Sequence, residues 1–202
     1  MKARTLDVSR LPIGTNDSRA LLGWGNVGML MIEGTMFALC VAAYFYLRTV
    51  NLDWPPPTVQ PTPLALPIVN LLISLLGLVP MRMADRAALR QETRRTRLGL
   101  AICVAIGITF CVIRGFVLSE LGFLWSSHAY GSMIWTILGL HSLHAIAVTG
   151  EIAVLLVYSL VRPLTKKQFL DIRTTAVYWY FVVLTWVPLF AIVHLSSYVG
   201  RK

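Results

Sequence analysis

One stretch constrains this chain more than any other: the run from Tyr130 to Leu160, YGSMIWTILGLHSLHAIAVTGEIAVLLVYSL, which contains no lysine or arginine. It exceeds the about 20 apolar residues that cross the hydrocarbon of a bilayer. Yet His141, His144 and Glu151 stand inside it. Ionisable groups at that depth are costly and face protein, headgroups or a wet cavity. On a helix, steps of three and seven residues return to nearly the same face. His141, His144, Val148 and Glu151 are therefore expected to form one stripe, with Gly139 and Gly150 beside it as small residues on a buried packing face.

The rest of the composition agrees with a membrane protein. Of the 202 residues, 56% are hydrophobic and 13% charged, against about 25% charged in a soluble domain. The formal charge of +9 does not indicate nucleic acid as a partner, because the basic residues cluster in the connections between apolar runs. Cys40, Cys103 and Cys111 all lie in apolar runs without metal or CxxC spacing, so they read as small buried residues.

The fold class expected is an all-α membrane protein of one domain. Five helices are predicted at about 22–47, 64–81, 98–118, 130–160 and 175–198. They are preceded by a polar segment, 1–21, and followed by a short tail, 199–202. No small-residue cleavage site follows a signal-like core, so no removable signal is read. The prolines between Asp53 and Pro63 predict an extended connection, and Pro80 is expected to close the second span. The segment 82–97, with six arginines, reads as a solvated, helical connection, and Arg114 is expected to snorkel outward. His128 and His194 read as solvated near the outer interface. There is no internal repeat.

Fourteen of the 18 lysines and arginines lie in the N-terminal segment and the 82–97 and 162–173 connections, which five crossings put on one side. Positive charge favours the cytoplasm. The N-terminus is thus expected inside and the C-terminus outside, in a multi-pass protein of a bacterial inner membrane.

The candidates for chemistry are few. Glu33 falls near the middle of the first span, where a carboxylate needs a proton or a donor. It reads as a proton-exchanging or lipid- and partner-contacting acid, or as a structural acid bonded to a neighbouring helix. Its depth matches that of His144 on an antiparallel span, which makes His144 its expected donor. His141, His144 and Glu151 have the three-residue spacing of helical di-metal sites, but those sites require further carboxylates on facing helices. A polar seam is the favoured reading. Asn70 and Ser74 share a face and read as interhelical hydrogen-bond residues. No phosphate loop or Ser/His/Asp arrangement is present.

These residues carry a resemblance. Tyr130-Gly131-Ser132, then Gly139-Leu140-His141-Ser142-Leu143-His144 and Gly150, resemble the YGS…TGFHGLH…G core of subunit III of haem-copper terminal oxidases. Glu33 in MLMIEGTMFALCVAAYFYLR is similar to the intramembrane glutamate of that family. Pro67-Ile68-Val69-Asn70…Leu76-Gly77 is similar to its PxxN…LLxS segment, and Tyr178-Trp179-Tyr180-Phe181-Val182…Trp186 to its final YWHFVD..W helix. The match covers about residues 22–198 in order and resembles the short five-helix form. The chain departs from the pattern at Arg114 and Val117, where the family has Gln and Glu. It departs again at Ser127, where the family has Asp, and at Tyr180 and Val183, where it has His and Asp.

The resemblance implies a subunit without a redox centre, so no cofactor in this chain, with haem and copper in partner subunits. It implies association with catalytic subunit I and other oxidase subunits, a cleft that holds membrane phospholipids, and support of proton uptake. With four histidines in all, the chain falls short of the six ligands that the catalytic subunit needs. An accessory protein of a nitric oxide reductase is the alternative within the family. A small transporter or proton channel is a reading of another class, and the absence of discontinuous or repeated spans speaks against it.

Overall fold

The computed structural model describes residues 18–60 and 63–196. Among them there is no strand. The helices are α1 (Ser18–Val50), α2 (Ala65–Leu76), α3 (Leu78–Leu89), α4 (Thr93–Ser119), α5 (Ala129–Val161) and α6 (Lys166–Phe190), with a terminal π-helical turn at Ala191–Leu195. They form five membrane-length spans: Gly23–Val50, Ala65–Leu89, Thr93–Ser119, Ala129–Val161 and Lys166–Leu195. The second and fifth run further toward the basic end than the apolar cores alone suggest. Arginine and lysine are good helix formers, and the backbone ladder does not stop where hydrocarbon does.

The five spans are unequally placed. In the last one 50% of the most apolar window is buried within the chain, in the first only 11%. Helix α6 is thus the central element and α1 a peripheral one, packed chiefly on α5 and α6. Helix α4 lies against α2, α3 and α5. Its inward stripe is Gly99, Cys103, Gly107, Phe110, Arg114 and Val117, all buried, at the three- and four-residue steps of one helical face.

Close helix approach rests on glycines other than those singled out from the sequence. A β-carbon on Gly107 would stand 2.3 Å from Thr149 Oγ1 of α5, and one on Gly99 would stand 2.8 Å from the Ala84 β-carbon of α3. Gly139 and Gly150 have nothing within 4 Å of that position, so they are not packing glycines. They lie on the outward side of α5, away from the other helices of this chain.

Pro80 does not end the second span. It is the third residue of α3, in the first helical turn, where a missing N–H breaks no helical bond. Helix α2 stops at Leu76, capped by Gly77, whose carbonyl accepts a hydrogen bond from Trp179 Nε1 of α6 at 3.2 Å. The turn from α3 to α4 takes three residues. Gln91 has φ 56°, and Glu92 N donates to Ala87 O at 2.9 Å while Gln91 N donates to Ala88 O at 3.1 Å. Those two bonds are the Schellman pattern, with glutamine in the left-handed position that glycine usually takes.

The connection after α1 is folded back, not extended. Val59 N donates to Pro56 O at 2.9 Å. Trp54 is buried with its ring edge-on to Tyr44 and Tyr130, at 5.4 and 5.1 Å between centroids. Burial of a large aromatic surface between two rings outweighs the solvation that an extended proline segment retains. Tyr44 is accordingly a core residue. Its hydroxyl is 2.6 Å from Ser196 Oγ. His128 is half-buried and caps α5, its Nδ1 accepting from Gly131 N at 2.8 Å.

Candidate functional site

The stripe on α5 splits into two environments. Three residues along a helix rotate the side chain by about 60°, enough here to send His141 and His144 to different neighbours. His141 points into the bundle. Its Nε2 lies 3.0 Å from the carbonyl oxygen of Val182, which can only accept, so Nε2 donates. The ring packs on Trp186 at 4.8 Å between centroids and against Phe110 at 5.9 Å. Beside it is a cavity of about 20 Å³ bounded by Ser74, Gly107, Phe110, Thr149 and Trp179, roughly the space of one water.

His144 points toward α1. Its Nδ1 is 2.7 Å from Leu140 O and must donate, which leaves Nε2 facing Glu33 Oε2 at 3.8 Å. Both side chains are mostly buried, at 12% and 17% exposure. Tyr178 of α6 donates to Glu33 Oε1 at 3.4 Å. Phe37, one turn after Glu33 on α1, packs its ring 5.1 Å from that of His144. The carboxyl of α1, the imidazole of α5 and the phenol of α6 thus converge on one point.

Glu151 is exposed and is not part of a buried face. Its Oε1 accepts from Thr175 Oγ1 of α6 at 2.6 Å. One residue before that threonine, Thr174 O accepts from Asn26 Nδ2 of α1 at 3.2 Å. Glu33, His144, Tyr178, Glu151, Thr175 and Asn26 therefore make a polar track along the junction of α1, α5 and α6, running from mid-span toward the basic end. Among the described residues, no three His, Cys, Asp or Glu side chains converge as a metal-ligand set.

Asn70 belongs to a second cluster. Its Nδ2 donates to Phe110 O of α4 at 2.9 Å, and its Oδ1 accepts from Arg114 Nη2 at 3.1 Å. Ser74 does not bridge helices: its hydroxyl donates to Leu71 O of its own helix at 2.8 Å. Arg114 does not snorkel. It is 2% exposed, with its guanidinium over the rings of Trp186 and Phe110. His194 is likewise buried, at 1% exposure, because the π-helical turn after α6 carries its ring inward against Phe190 and Trp186. The sequence does hold a signal for Arg114: it continues the register of Gly99, Cys103, Gly107 and Phe110, and a residue on a packing face has no route outward.

The sequence as a whole matches the model of a protein family described as cytochrome c oxidase subunit III, over residues 15–198. The chain belongs to the cytochrome c oxidase subunit III family. Among similar proteins of that name, the one from Drosophila yakuba is 25% identical over 179 residues, covering 86% of this chain and 68% of the fly protein. The one from Spodoptera frugiperda is 27% identical over 138 residues, covering 68% of this chain and 94% of that protein. The pig protein is 28% identical over 142 residues, covering 70% of this chain and 54% of its own length. The subunit III match takes in Glu33, Asn70, His141, His144 and Glu151 together, so the track and the Asn70 cluster both lie within the part of the chain that carries the family likeness.

Proposed function

We propose that this chain is the non-catalytic subunit III of a haem-copper terminal oxidase in aerobic respiratory electron transport. It stabilises catalytic subunit I, holds phospholipid at its membrane face and supports proton uptake. The setting is a bacterial cytoplasmic membrane, with the basic helix ends and the N-terminus in the cytoplasm.

The polar track headed by Glu33 carries this reading. A carboxyl group half-way through a membrane span is tolerated where polar groups meet it; here the Tyr178 hydroxyl donates to Glu33, and His144 Nε2 stands 3.8 Å from its other oxygen. Glu151, Thr175 and Asn26 continue the line of exchangeable protons and acceptors toward the basic end. Such a line at a helix junction suits a subunit that collects protons or holds a headgroup for a neighbour whose redox centres do the chemistry. The departures at Arg114, Val117, Tyr180 and Val183 favour a second reading within the family, an accessory subunit of a nitric oxide reductase.

The test is made on the purified complex. Glu33→Gln keeps shape and hydrogen-bonding capacity and should leave assembly intact. Glu33→Leu should weaken assembly or lipid retention and shorten the period of sustained turnover, without abolishing it. If Glu33→Leu assembles, retains lipid and turns over for as long as the wild type, the reading fails. Mass spectrometry of the copurified subunits, with oxygen and nitric oxide consumption measured side by side, separates the two complexes.

A further inference from the structure

The turn between α3 and α4 carries a groove that the polar track does not use. It measures about 420 Å³ and is lined by Met83, Arg86 and Arg90 of α3 and by Glu92, Arg95 and Leu98 of the turn and α4. On α3, Val79, Met83, Arg86 and Arg90 share one face at helical spacing. That face changes from apolar to basic within one turn. On α4 the same change occurs between Leu98 and Arg95. The apolar residues are open to the surroundings: Val79 is 61% exposed, Met83 50%, Leu98 56% and Ile102 38%.

The charge is not cancelled locally. Glu92 meets Arg95 at 3.1 Å and Arg90 at 4.0 Å. Arg86 has no ion pair among the described residues. Three cations thus face one carboxylate. Glu92 is also the N-cap of α4, and the first turn that follows it holds no further acidic residue.

We propose that this groove binds the headgroup of an anionic glycerophospholipid. The phosphodiester sits between Arg86, Arg90 and Arg95, and the acyl chains follow Val79, Met83, Leu98 and Ile102. The seven residues from Arg86 back to Val79 span about 10 Å along the helix, which carries a lipid from its phosphate into its chains. A free phosphate would use the arginines and leave the apolar strip without a role, and a soluble polyanion would do the same. Basic pockets between spans at the positive end of a membrane protein select anionic headgroups for this reason. None of the groove residues belongs to α1, α5 or α6, so the site stands apart from Glu33 and its test is independent of that reading.

The experiment is native mass spectrometry of the detergent-purified, delipidated complex, titrated with phosphatidylglycerol, with phosphatidylcholine of the same chains, and with inorganic phosphate. The wild type should bind one phosphatidylglycerol that the Arg86→Gln/Arg90→Gln/Arg95→Gln variant binds about a hundredfold more weakly, at about fivefold for each arginine. The triple lysine variant keeps the charge, controls for folding, and should retain most of the affinity. Equal retention of phosphatidylglycerol by wild type and glutamine variant would overturn the proposal. So would phosphatidylcholine binding as tightly, or phosphate displacing the lipid. Loss of a partner subunit from the glutamine variant with lipid binding unchanged would also overturn it and mark the groove as a protein interface.

Discussion

The guanidinium carbon of Arg114 lies 3.7 Å from the centre of the Trp186 indole, joining α4 to α6 at the heart of the bundle. Phe110 covers it at 5.0 Å, and Asn70 of α2 accepts from it at 3.1 Å. No carboxylate among the described residues pairs with it. Two ring faces and one amide oxygen thus hold a cation away from water. A desolvated cation–π contact is worth about 2 kcal/mol, and the amide supplies a charge-assisted hydrogen bond.

This arrangement predicts a non-additive pair. Asn70→Leu removes the acceptor and leaves the buried cation, which should destabilise the protein by about 3 kcal/mol. Asn70→Leu combined with Arg114→Met removes charge and partner together and should recover most of that loss. Unfolding of the detergent-solubilised variants measures both, and a double variant as unstable as Asn70→Leu alone contradicts the account.

Gly107 predicts a second, geometric pair. A methyl group there overlaps Thr149 Oγ1 at 2.3 Å and Cγ2 at 2.7 Å, so Gly107→Ala should destabilise by about 1–3 kcal/mol through overpacking. Adding Thr149→Ala should restore most of it, since the threonine hydroxyl only donates to Ala145 O of its own helix. Gly139→Ala, with open space around the new methyl, should be neutral in the same thermal assay.

Gln91 predicts a stabilising substitution. Its φ of 56° is in the left-handed region, which costs a side-chain-bearing residue about 1–2 kcal/mol relative to glycine. Gln91→Gly should raise the melting temperature of the purified chain, offset in part by the flexibility that glycine gives the unfolded state. Gln91→Val should lower it, because a β-branched residue tolerates that conformation worst. Identical melting of all three would refute the strain.

The distribution of basic residues predicts topology. A cysteine placed at Arg90, in a protein otherwise free of cysteine, should be inaccessible to an impermeant maleimide added to intact cells and should react once the membrane is opened. Labelling from outside would reverse the orientation.

What could be read from sequence alone was whatever depends on sums along the chain. Hydropathy over a window marks a span because transfer from water to hydrocarbon is nearly additive over residues, and five spans are present among the described residues. Counting along antiparallel spans put Glu33 and His144 at one depth, and their side chains do stand 3.8 Å apart. The ordered motifs from Glu33 to Trp186 led to the subunit III family, to which the chain belongs. Direction around each helix was another matter. Arg114 and His194 near span ends read as outward-facing by position, yet packing holds both inside. Gly139 and Gly150 read as packing residues by type, while Gly99 and Gly107 meet the neighbouring helices. In a membrane the outward and inward faces of a helix are nearly equally apolar, so composition does not tell them apart. Which face turns inward is decided by steric fit and by buried polar partners such as Asn70 and Trp186, brought from distant parts of the chain, and only the tertiary structure brings them together.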